Sequence, residues 1–193
     1  MNRLTATDLW SLERYSRERD AFRARVMAHK KNRALAVGPN AMWLFEDRLT
    51  IQYQVQEMLR TERIFETVEI EQELQTYNPL IPDGANWKVT LLIEFTDPEE
   101  RRVQLGLLKG VEDRCFIEVG GHERVFALAD EDLERENDEK TSSVHFLRFE
   151  LSAAMIRDLR AGAELVLGVD HPAYRHRLTV PAAARTALIA DLA

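Results

Sequence analysis

The sequence predicts an α+β protein, with N-terminal helices and a hairpin followed by two βαββ units forming a mostly antiparallel mixed sheet. Three observations lead there. Apolar residues recur at helical spacing through the first third of the chain. Strict apolar/polar alternation begins at Trp87. The segments 87–128 and 142–180 then share one layout: strand, helix of about ten residues, glycine, strand, tight turn, strand.

A chain of 193 residues that is 45% hydrophobic can bury its own core, and it reads as a single compact domain with a helical part over 1–84 and a duplicated part over 85–193. The formal net charge of −7 argues against coating nucleic acid or an anionic membrane, both of which demand a basic face. Basic residues are in excess over 1–33, whereas Asp130 to Lys140 is mostly acidic and reads as a flexible segment. Cys115 is the single cysteine, which excludes an intrachain disulfide and any zinc or iron–sulfur site ligated by cysteines of this chain alone. The start of the chain lacks the apolar core of a signal peptide, and no apolar run approaches the ~20 residues that span a bilayer, so a cytoplasmic location is expected.

Along the chain, Thr5 or Thr7 opens a helix, with Asp8 placed near its free amides and Leu9, Leu12 and Tyr15 on one face. The stripe fails at Arg19 and Asp20 and resumes at Phe22 and Val26, which predicts a broken or surface-lying helix pair. Gly38-Pro39-Asn40 between two apolar runs predicts a hairpin. Arg48 to Glu73 reads as the longest helical stretch, with Ile51, Val55, Met58 and Phe65 in one arc together with Gln54 and Glu62. Glu62 is therefore a candidate ligand or proton carrier, set against a helix break near Thr61 or pairing with Arg60 or Arg63. Tyr77 to Gly84 reads as loop because of its two prolines and Asp-Gly turn, which makes Tyr77, Asn78 and Asp83 candidate loop residues for function.

From Trp87 to Phe95 the alternation gives a strand with one buried face; Asp97 caps a helix that runs to about Lys109 and stops at Gly110. Around Gly120-Gly121-His122, a three-residue turn sets Glu118 opposite Arg124, Ile117 opposite Val125 and Cys115 opposite Ala127. A two-residue turn would instead face Glu118 with Glu123, so the first register is preferred. In the final hairpin, Asp170 opposite Arg175 also aligns Val169 with His176, Leu167 with Leu178 and Leu165 with Val180.

Alternation over Ser143 to Leu151 puts His145 on the apolar face with Leu147 and Phe149, and the last hairpin puts His176 on another apolar face with His171 at the adjoining turn. Convergence of His145, His171 and His176, with oxygen from Glu62 or Glu150, would suit iron, zinc or manganese, or acid/base chemistry. The alternative is that each is a hydrogen-bonded core or turn histidine. Arg148, Arg175 and Arg177 are candidates either for holding an anion or for structural ion pairs, and Asp170 is a candidate for the ion pair with Arg175 that fixes the last hairpin. The chain has no glycine-rich phosphate loop, GxSxG elbow, HExxH motif or pair of ExxH motifs.

The phrases YQVQEMLRTERIFE (Tyr53 to Glu66), YNPLIPDG (Tyr77 to Gly84), DEKTSSVHFLRFEL (Asp138 to Leu151) and GVDHPAYRHR (Gly168 to Arg177) resemble a bacterial family known as domain of unknown function 3501, over almost the whole chain. The resemblance transfers no catalytic residue. It implies a setting beside rubrerythrin-like and iron–sulfur proteins, and so an accessory or interaction protein of an iron-linked redox or peroxide-defence system; apart from the resemblance, a homo-oligomer with a structural role is a third expectation. The competing expectation is a metal- or small-ligand-binding enzyme built on the three histidines.

Overall fold

The structure is a computed structural model that describes residues 3–129 and 140–193; the acidic segment, apart from Lys140, lies outside the described residues. The chain forms two compact units. One comprises Met1–Lys31 and Glu46–Asp83, the other Asn32–Phe45 and Gly84–Ala193. The first hairpin, which sequence order places with the helices, is thus part of the second unit.

The first unit is helical. It contains a 3-10 turn at Ala6–Asp8, α1 (Leu12–Lys30), α2 (Arg48–Glu62), α3 (Thr67–Tyr77) and a 3-10 turn at Asn78–Leu80. Asp8 accepts from the Thr5 amide (2.8 Å) and hydroxyl (2.9 Å), but this closes only the short turn; Ser11 caps α1 instead, accepting from the Arg14 amide at 3.3 Å. The expected break at Arg19 does not occur. Tyr15, Arg19, Phe22 and Val26 form one continuous stripe, and the Arg19 guanidinium in it is neutralised by Glu57 of α2, with N–O distances of 2.7 and 2.8 Å.

The long helix expected over Arg48 to Glu73 divides into α2 and α3. Arg63 adopts the left-handed conformation (φ 56°), and the Ile64 amide closes back onto the Leu59 carbonyl at 2.9 Å. Ile64 thereby joins Ile51, Val55, Leu59 and Leu74 in the core, while Phe65 is turned outward and is 70% exposed. The buried amide is Gln56, which bonds both backbone groups of Trp10; Gln54 is exposed.

The second unit contains β1 (Ala34–Ala36), β2 (Ala41–Phe45), β3 (Asn86–Ile93), α4 (Pro98–Leu107), β4 (Cys115–Val119), β5 (Val125–Phe126), β6 (Leu128–Ala129), β7 (Val144–Glu150), α5 (Ala153–Ala161), β8 (Leu165–His171), β9 (Tyr174–Thr179) and α6 (Ala182–Ile189). The α+β class is as expected, but the strands form two sheets rather than one mixed sheet. Their orders are β1-β2-β3-β7-β6 and β5-β4-β8-β9, with every ladder antiparallel. In each βαββ half the helix carries the chain from one sheet to the other, so no parallel crossover forms. The halves meet strand for strand: β3 pairs with β7 and β4 with β8.

Both hairpin registers read from the sequence are present. Ile117 faces Val125, and the Ala127 amide donates to the Cys115 carbonyl at 2.9 Å. Asp170 faces Arg175, Val169 faces His176 and Leu167 faces Leu178, with the Val180 amide donating to the Leu165 carbonyl at 2.8 Å. At Ala127 the chain passes from β5 in the four-stranded sheet to β6 in the five-stranded one. The inner faces of both sheets enter one core, in which Trp43 stacks on Phe149 (5.3 Å between centroids) and Trp87 meets Phe45 edge-on (5.9 Å). The Trp87 indole N–H, buried there, donates to the Leu188 carbonyl at 2.9 Å.

Candidate functional site

The three histidines expected to converge are each engaged separately. His145 on β7 is fully buried; its Nε2 lies 3.0 Å from the Ser142 carbonyl, 3.0 Å from Thr141 Oγ1 and 3.8 Å from Glu112 Oε2. A carbonyl can only accept, so Nε2 carries the proton. His171 is also buried, although it sits at the hairpin turn. Its Nε2 donates to the Lys109 carbonyl (3.0 Å) and its Nδ1 accepts from the Ala173 amide (3.2 Å), which uses both ring nitrogens of a neutral imidazole. His176 is half-buried against Tyr174, with ring centroids 4.5 Å apart. Gly38 of the β1–β2 turn closes over that pair: a Cβ at this position would lie 2.5 Å from His176 Cγ and 2.6 Å from the Tyr174 hydroxyl. The same hydroxyl donates to the Val37 carbonyl (2.9 Å) and accepts from the Asn40 amide (3.0 Å).

The expected oxygen donors are elsewhere. Glu62 is exposed at the last residue of α2, and Glu150 accepts from Arg148 and from Asn86 Nδ2 (3.1 Å). Among the described residues, no three His, Cys, Asp or Glu side chains gather as a metal ion would require. The Cys115 thiol donates to the Val111 carbonyl at 3.4 Å, and burial pushes its pKa well above the ordinary thiol value.

Two histidines to which the sequence assigned no chemistry do meet carboxylates. His29 in the last turn of α1 contacts Asp47, which caps α2, and His122 lies 2.6 Å from Asp158 of α5. Their partners are 18 and 36 residues away, so only the folded chain shows them. The expected loop from Tyr77 is partly helical: Tyr77 ends α3 and Asn78 begins a 3-10 turn. The Asn78 side chain accepts from the Leu4 amide (2.7 Å) and donates to the Leu4 carbonyl (2.9 Å), pinning the start of the chain, while Asp83 is exposed.

Three of the charged candidates, Asp170, Arg175 and Arg177, do assemble, together with Glu118 and Arg124, on the outer face of the four-stranded sheet. Phe126, Phe116, Gly168 and Arg177 form one row across β5, β4, β8 and β9. Gly168 is required there, because a Cβ would lie 2.2 Å from Phe116 Cζ. The Arg124 guanidinium covers Phe116 at 4.1 Å and Arg177 lies at 5.9 Å, so the ring is only 1% exposed although it faces outward. Arg124 donates from Nε to Glu118 (3.1 Å) and from Nη1 to Asp170 (3.3 Å); Arg177 Nη2 reaches both Glu118 oxygens at 3.1 Å; Arg175 Nε is 3.6 Å from Asp170. Arg148 does not belong to this group, since β7 is in the other sheet, where it pairs with Glu150. The sequence showed Asp170–Arg175 and Glu118–Arg124 as hairpin pairs. Their fusion into one network through Arg124 and Arg177 depends on the β4–β8 pairing, which local pattern does not encode.

These features define an α+β protein with two antiparallel sheets and a charged, aromatic-backed outer face. The chain belongs to the family described as "Protein of unknown function (DUF3501)", whose model matches residues 3–192. It is similar to a crystal structure of a novel protein of unknown function from Burkholderia pseudomallei K96243, with a TM-score of 0.93 and 48% sequence identity over 98% of this chain and 99% of that one. No curated protein matches the chain.

Proposed function

We propose that this protein is an accessory protein that acts by docking to another protein. The observation that carries this is the elbow between α2 and α3, which displays Phe65 and Val68, each 70% exposed and three residues apart. Full burial of such side chains is worth roughly 1.5–3 kcal/mol each, so an occupied elbow would gain appreciably. The display is fixed by the left-handed Arg63 and the inward Ile64 rather than by a loose end. The acidic composition and the single buried cysteine fit a reducing cytoplasm, and among the described residues no helix is long and apolar enough to cross a membrane.

A narrower form of this proposal, suggested by the family resemblance, makes the partner a rubrerythrin-like or iron–sulfur protein. The test is affinity purification at native expression, comparing the wild-type chain with a Phe65→Ser, Val68→Ser variant. A partner recovered in fixed ratio by the wild type and lost by the variant is expected, and its identity and iron content decide the narrower form. Recovery of no partner, or of the same partner by both chains, would sink the proposal.

A further inference from the structure

The geometry points to an oxyanion-binding site on the outer face of the four-stranded sheet, distinct from the docking elbow. A groove there is lined by Phe116, Arg124, Asp170, Arg175, His176 and Arg177. Three guanidinium groups, of Arg124, Arg175 and Arg177, meet two carboxylates, of Glu118 and Asp170, so the face is locally cationic on a chain whose net charge is −7. The carboxylates occupy only part of the donor set. They engage Nε and Nη1 of Arg124, Nη2 of Arg177 and the Nε side of Arg175. Among the described residues, Arg124 Nη2, Arg177 Nε and Nη1, and both Nη atoms of Arg175 have no protein acceptor, and each guanidinium can donate five hydrogen bonds.

The donors are also held in place. Glu118 holds Arg124 and Arg177 together, Asp170 accepts from Arg124 at 3.3 Å and lies 3.6 Å from Arg175 as a looser ion pair, and Phe116 lies beneath Arg124 and Arg177. Arginine forks held in this way suit the paired oxygens of a phosphate or carboxylate, because less side-chain freedom is lost on binding. Arg175 and Arg177 are alternate residues of β9 and therefore share its outer face, about 7 Å apart along the strand, a span that one oxyanion can bridge between two long side chains.

The site is tested on the full chain by following arginine side-chain N–H signals in NMR during titration with inorganic phosphate, acetate or chloride at constant ionic strength. Saturable shifts at Arg175 and Arg177 with phosphate, acetate or both are expected, and the comparison decides which oxyanion is preferred. The side chains of Arg175 and Arg177 are 71% and 52% exposed, so alanine variants should fold, which circular dichroism verifies. Arg177→Ala should weaken binding at least tenfold, and Arg177→Lys, which keeps the charge but not the fork, should weaken it as well. Arg148→Ala, with the same charge change on the other sheet, should leave it unaltered. The site is refuted by absence of saturable shifts, by an equal response to chloride, by unchanged binding in Arg177→Ala, or by equal weakening in Arg148→Ala.

Discussion

Glu57 accounts for the polar residue that interrupts the apolar stripe of α1 at Arg19. Its carboxylate takes hydrogen bonds from Arg19 and from the Tyr15 hydroxyl, so a polar triad sits in a seam that would otherwise be apolar. The Arg19 guanidinium, assisted by Tyr15, holds the Glu57 carboxyl at about 2, against burial and below its ordinary value of 4.5. A folded-state value below the unfolded one means that the stabilisation is fully present above pH 4.5 and is lost as pH falls towards 2. Denaturant unfolding at a series of pH values should therefore show a steeper loss of stability across that window in the wild type than in Glu57→Gln; equal slopes would show that the triad is not linked to folding. Periodicity alone marks Arg19 as a fault because its partner is 38 residues away. For His145, by contrast, alternation sufficed, since burial on one face of a strand is a local property.

Among the elements, the α2–α3 elbow divides what the apolar spacing presents as one long helix, close to the break near Thr61 that stood as the alternative for Glu62. Apolar spacing continues through Phe65 as if the helix did, and a helical wheel cannot register a single residue entering the left-handed region. Arg63 is the one non-glycine residue with positive φ among those described, a conformation that costs an L-residue roughly 1–2 kcal/mol. Arg63→Gly should remove that strain and stabilise the chain by about 1 kcal/mol in chemical denaturation, after allowing for glycine's greater freedom when unfolded. Destabilisation would mean that the arginine side chain makes a contribution that outweighs its backbone strain. The hairpins were more legible. In the turn at Gly120-Gly121-His122, opposed charges at Glu118 and Arg124 excluded the competing register, and a one-residue slip would have moved every apolar side chain of the strand to the wrong face.

At the scale of the whole molecule, Cys115 offers a probe of the sheet unit. Burial pushes its thiol up, with Glu112 and Asp113 adding to the effect, and the side chain is fully buried in the shared core. Labelling by a thiol reagent at pH 8 should be negligible in the native protein and should appear at the denaturant midpoint at which β-sheet circular dichroism is lost. Rapid labelling without denaturant would show that this core opens locally. The sequence by itself determined the strand faces, the hairpin registers and the repeated strand–helix–strand–strand layout, because period-two alternation and turn chemistry act over a few residues. Only the tertiary structure decided that the two halves pair β3 with β7 and β4 with β8 in separate antiparallel sheets. It also divided the histidines among different hydrogen-bonding partners and joined Arg124, Arg175 and Arg177 into one face. Those outcomes depend on which distant segments become neighbours, and antiparallel partners far apart in sequence leave no mark on either strand's own pattern.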